Sequence, residues 1–167
     1  MNHHAPIPPG TAARMLALWS AGTRWLDQLQ PAAALLARIH VGQVFFLAGL
    51  TKIRDWDTTL ALFTDEYKVP LLPPPLAAVM GTGGELVLPV LLVLGLGGRL
   101  APLGLSVMNL VAVISLTDIA PAALQQHVFW GCLLAGLAIF GTGAWSLDRR
   151  VWPRLQGAAA RSASTTS

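Results

Sequence analysis

Four apolar runs, at roughly residues 32–53, 75–97, 99–119 and 126–147, constrain this chain more than any other feature of it. Each is long enough to cross about 30 Å of hydrocarbon at about 1.5 Å of rise per helical residue. A water-soluble helical bundle needs a polar face on each helix, and these runs leave none. The balance of the chain agrees: 54% of residues are apolar and 11% charged, against roughly 25% charged in soluble domains. The expected fold class is all-α, an integral membrane four-helix bundle carrying a short amphipathic external loop helix.

Basic residues set the expected direction, because cytoplasmic flanks retain Lys and Arg. Arg14 and Arg24 precede the first run, Arg99 sits in the turn between the second and third, and Arg149, Arg150, Arg154 and Arg161 follow the fourth. The opposite side holds Lys52, Arg54 and Lys68, offset by Asp55, Asp57, Asp65 and Glu66. Both termini are therefore expected in the cytoplasm. The basic excess reflects this topology rather than nucleic-acid binding, since no cluster of Lys and Arg is interleaved with stacking aromatics. No cleavable signal is expected, because the first apolar stretch, MLALW, is too short.

Three regions follow. Residues 1–31 are expected to carry a helix lying in the membrane interface, with Met15, Leu18, Trp19, Leu26 and Leu29 near helical spacing. Residues 32–147 form the four-span domain. Residues 148–167 make a basic tail whose end, GAAARSASTTS, is too poor in apolar residues to fold. The first external loop, DWDTTLALFTDEYKVPLLPPP, predicts a short helix capped by Asp57, with Leu60, Phe63 and Tyr67 on one face and Pro70 ending it. That helix either seals the bundle or serves as a lid or docking surface.

Arg38 lies inside the first run, and one unpaired charge at mid-membrane costs from about 3 to over 10 kcal/mol. Glu85, near the middle of the second run, is its expected partner on an antiparallel neighbour. Gly81, Gly83 and Gly84 beside it are expected to let helix backbones approach. Asn109, Ser106, Thr82, Gln43 and His40 also fall at membrane depth and are expected to share a polar centre. Three readings stay open: a structural ion pair that fixes helix register, groups that line a pocket for a polar headgroup or quinone or carry protons, or an Arg38 that snorkels independently beside a neutral Glu85.

Several patterns point elsewhere. GTGGE and GLGGR match neither the dinucleotide nor the P-loop spacing, so no nucleotide site is expected. His40 and His127 are separated too far in depth for a bis-histidine haem. Asp118 and His127 flank one short loop and are expected to pair there. The single Cys132 excludes an intrachain disulfide or thiolate metal site and reads as a small packed residue; His3 and His4 do not make a metal tract.

Taken in order, ARIHVGQVFFLAGLTKIRDW, a loop helix ending in KVP, and GELVLPVLLVLGLGGRLAPLGL resemble the DoxX family of small four-helix bacterial membrane proteins, over roughly residues 35–147. The resemblance rests on Arg38, Gly-x-x-Lys from Gly49 to Lys52, the loop proline, Glu85 after glycine, and Gly-x-x-x-Arg from Gly95 to Arg99. It implies a multi-pass protein of the bacterial inner membrane that acts as a subunit of a redox system, working with a protein partner and the quinone pool. The residues expected to act are Glu85 and Arg38 in catalysis, with Asn109, His40, Lys52 and Arg99 binding the cofactor. The cofactor is left open, with a quinone as the candidate and no haem, nucleotide or metal expected; no nucleic-acid partner is expected, and self-association remains open. The competing expectation is a non-catalytic scaffold or assembly factor for envelope proteins; a small transporter is the weaker third.

Overall fold

The computed structural model describes residues 10–149. Five helices make up this part: α1 (Thr11–Arg54), α2 (Trp56–Asp65), α3 (Pro74–Leu94), α4 (Leu100–Ser115) and α5 (Pro121–Phe140). α1, α3 and α5 are long and apolar enough to cross a membrane, and α4, with 16 residues, reaches about 24 Å. The chain is thus an all-helical membrane bundle with α2 across one end.

The N-terminal helix and the first span are a single element, because α1 continues through Pro31 for 44 residues. Proline removes one intrahelical hydrogen bond, but it lies between Gln30 and a run of three alanines, where helix propensity is high. Met15, Leu18, Trp19, Leu26 and Leu29 remain exposed, uncovered by the bundle. α3 stops where Gly95 adopts the left-handed conformation, φ 67°, and its N–H reaches back to the carbonyls of Leu91 and Leu92. α5 starts at Pro121, earlier than the apolar run, since a proline in the first turn and the following alanines favour helix before hydropathy rises. The basic tail beyond Arg149, and His3 and His4, lie outside the described residues.

On α2 the capping residue is Asp55 rather than Asp57: its carboxylate accepts from the Thr58 N–H at 3.0 Å and the Thr58 hydroxyl at 2.7 Å. These two bonds, the hydroxyl's first, hold the Asp55 carboxyl below its usual range. α1 ends at Arg54, so Asp55 is the one residue free to cap, and Asp57 falls within the first turn. The apolar face of α2 lands as anticipated. Phe63 is buried against Ala77 and Ala78 of α3, with Leu60 and Tyr67 beside it.

Packing centres on α1 and α3, which run antiparallel. Arg38, Val41, Gly42, Phe45 and Gly49 are the buried residues of α1, and their three-to-four spacing puts them on one face. A side chain at Gly42 would meet Val93 at 2.6 Å, and one at Gly49 would meet Leu86 at 2.9 Å and the Glu85 Cβ at 3.1 Å. Of the glycines flanking Glu85, Gly84 admits Met108 of α4 and Gly81 faces Phe63, while Gly83 has open space. The close approach therefore depends chiefly on glycines of α1, outside the GTGGE run. Gly49→Leu is expected to destabilise the bundle by about 1–3 kcal/mol, seen as a lowered thermal transition in detergent, whereas Gly83→Ala leaves the transition in place.

Candidate functional site

Lys52 lies on the same α1 face as Gly49, just under one turn further on, and its stem runs back to the neighbouring helix. There the ammonium donates to both carboxylate oxygens of Glu85, at 2.5 and 2.6 Å, with the two side chains only 20% and 13% exposed. This is the only ion pair among the described residues. Gly49 makes it feasible, since the Glu85 Cβ occupies the space that a larger residue would need.

The expected Arg38–Glu85 pair does not form. That expectation put the middles of the two apolar runs at equal depth, but the actual register sets Glu85 against Gly49, roughly 16 Å along α1 from Arg38. Arg38 instead serves the opposite end of the bundle. It is 1% exposed, and its guanidinium donates to the carbonyls of Thr142 at 2.8 Å and Trp145 at 3.2 Å. These belong to the irregular segment after α5, which also bonds back to the end of α3: Leu147 N–H to the Leu94 carbonyl and Asp148 N–H to that of Gly95. Gly95 leaves room for the guanidinium, because a side chain there would lie 2.7 Å from Nη1.

Around the Lys52–Glu85 pair the four long helices and α2 line a half-open cavity of about 470 Å³. Its walls are apolar, with Phe45, Met80, Met108, Val111 and Trp130, and five polar residues interrupt them: Lys52, Glu85, Tyr67, Ser115 and His127. α2 and the following loop close it above. Tyr67 packs edge-on against Phe63 with ring centroids 5.0 Å apart and bridges to Leu116, and the Lys68 N–H donates to the Ser115 carbonyl at 2.8 Å. Burial first, then the charges of Glu66 and Glu85, hold the Tyr67 phenol above its ordinary value, so it keeps its proton and can donate. The Ser115 hydroxyl is buried without a partner.

The other anticipated residues scatter. Asn109 is buried, but it meets His127: its amide nitrogen donates to the His127 carbonyl at 2.9 Å and its oxygen lies 2.8 Å from Nδ1. His127 therefore does not pair with Asp118; with α5 starting at Pro121 it stands well inside that helix, out of the loop. His40 and Gln43 are on the outward face of α1, where His40 contacts Phe129 edge-on at 5.7 Å. Arg99 is exposed at the far end of the bundle, ahead of α4. Ser106 turns back to the Pro102 carbonyl. Thr82 is buried but does not line the cavity. Cys132 is exposed rather than packed. Lys52 as the partner of Glu85, and His127 as a cavity residue, escaped the sequence reading. The Gly42, Phe45, Gly49, Lys52 spacing was the available signal for the first.

The family model described as DoxX matches residues 33–118. That range runs from the middle of α1 through α4 and contains Arg38, Gly49, Lys52, Glu85, Gly95, Arg99 and Asn109, leaving α5 outside it. No curated protein and no solved structure matches the chain.

Two consequences are open to measurement. Lys52→Met leaves Glu85 buried without a cation and is expected to cost about 3–5 kcal/mol, most of which Lys52→Met with Glu85→Leu recovers; thermal unfolding of the three proteins in one detergent decides it. Arg38→Met is expected to free the segment after α5, so hydrogen exchange rises at residues 142–148 while the Lys52 end of the bundle stays protected.

Proposed function

The chain belongs to the DoxX family, and from that premise we propose that it is a membrane subunit of a redox system that holds a quinone in the cavity around Lys52 and Glu85. The observation that carries this reading is the pairing of a buried carboxylate and ammonium with an apolar, aromatic-walled space of about 470 Å³. Ligand sites of this size are mostly apolar with a few placed polar groups, and a quinone has the matching form: a flat ring with polar oxygens and an apolar tail.

In this reading Glu85 carries or releases a proton as the ring changes charge. Lys52 takes the role first expected of Arg38, stabilising the anionic ring and the deprotonated carboxylate alike. Tyr67 and the buried Ser115 supply hydroxyls to the ligand. Either charge alone costs several kcal/mol in an apolar wall and pairing offsets part of that cost, so the pair holds a proton acceptor in place without leaving a bare charge. The proposed setting is the bacterial inner membrane with both termini in the cytoplasm, from the distribution of Lys and Arg. α2 and the cavity then face the opposite side, and a partner protein delivers electrons there.

The test is mass spectrometry of lipids and proteins that remain with the full-length protein purified in mild detergent. Quinone at about one per chain is expected, and Glu85→Gln, present at normal abundance, is expected to lose most of it. A quinone-free preparation that carries one specific protein partner would instead favour the scaffold reading.

A further inference from the structure

We infer that His127, fixed by Asn109, makes the cavity select the hydroxyl-bearing, reduced form of its ring ligand over the oxidised form. The inference rests on the quinone reading and adds a residue and a redox preference to it. His127 stands on α5, beyond the region matched by the family model.

The argument starts from the Asn109 amide. A backbone carbonyl only accepts hydrogen bonds, so the group that lies 2.9 Å from the His127 carbonyl must be the amide nitrogen. That sets the flip of the amide, and its oxygen is then the atom 2.8 Å from His127 Nδ1. An amide oxygen only accepts, so Nδ1 carries the hydrogen. The neutral imidazole has one such hydrogen, and Nε2 is left with a bare lone pair. Gly131 permits the arrangement: a side chain there would come within 3.3 Å of the Asn109 amide nitrogen. Trp130 holds the ring from the side, edge-on with centroids 5.1 Å apart.

His127 lines the cavity, and its Nε2 has no protein partner among the described residues. The other fixed acceptor in the same wall is the Glu85 carboxylate, which occupies the Lys52 ammonium with both oxygens. The donors of the cavity, Lys52, Tyr67 and Ser115, can serve the oxygens of either redox form; the unpartnered acceptor Nε2 is the group that distinguishes them, because only a ligand hydroxyl satisfies it. A hydroquinone offers a hydroxyl to Nε2, whereas a quinone sets a carbonyl lone pair against the imidazole lone pair and leaves both unpaired. A site built to bond a hydroxyl discriminates against the analogue that lacks it, because its own polar group then goes unpaired.

The experiment compares decylubiquinol with decylubiquinone binding to the full-length protein in lipid nanodiscs, read by quenching of tryptophan fluorescence. At least about tenfold tighter binding of the quinol is expected. His127→Phe is expected to bring the two affinities together, while His127→Gln, which can present an amide oxygen, retains a preference. Nitrogen chemical shifts of labelled His127 should show hydrogen at Nδ1 and a bare Nε2, and Asn109→Leu should mix the tautomers. Equal binding of both forms to the wild-type protein, or hydrogen at Nε2, overturns the inference and leaves the quinone reading standing. Absence of binding by either form overturns both.

Discussion

The close antiparallel contact between α1 and α3 is the constraint on which the rest of the molecule depends. Between helices in lipid there is little hydrophobic driving force, so association rests on close packing and on polar bonds formed across it. Gly42 and Gly49 remove the side chains that would collide with Val93, Leu86 and Glu85. One register results, and it decides which polar group meets which. Lys52 comes to Glu85 at one end, and Arg38 comes to Gly95, in the turn after α3, at the other.

At the Arg38 end two problems largely offset each other, although Arg38 Nε stays buried without a partner. A buried guanidinium needs acceptors, and the non-helical stretch after α5 has carbonyls without helical partners. Arg38 takes two of them, and the stretch is further tied to Leu94, Gly95 and Gly98 through Leu147 and Asp148. Irregular backbone at this end is thus held inside protein, as backbone near hydrocarbon must be. The arginine is buried without a carboxylate partner among the described residues, so its place is explained by structure before any chemistry is invoked.

The other end has an open cavity where this one has a filled plug. α2 lies across it with its apolar face inward, and Tyr67 and Lys68 stitch the following loop to the end of α4. Most of the positions that carry the resemblance, Arg99 and the loop proline apart, divide along the same line. Gly49, Lys52 and Glu85 form one cluster, and Arg38 and Gly95 the second. Each short motif is therefore half of a contact, which is why each is uninformative alone: Gly-x-x-Lys acquires meaning only when Glu85 fills the gap that its glycine leaves.

Read alone, the sequence determined the class of fold, the four apolar runs and the amphipathic loop helix with Phe63 turned inward, and it singled out Glu85 as a charge at membrane depth in need of a partner. These follow from hydropathy, helical periodicity and the cost of charge in lipid, which are properties of local sequence. The partners were decided by the tertiary structure. A relative slide of a few residues between α1 and α3 moves a polar group by several ångströms, and hydropathy is nearly flat along such runs, so it cannot set the slide; packing at Gly42 and Gly49 does. The same limit hid His127, whose meeting with Asn109 depends on where α5 begins, and it sent His40 and Gln43 to the outward face, because a helix that is apolar all round does not announce which side is buried.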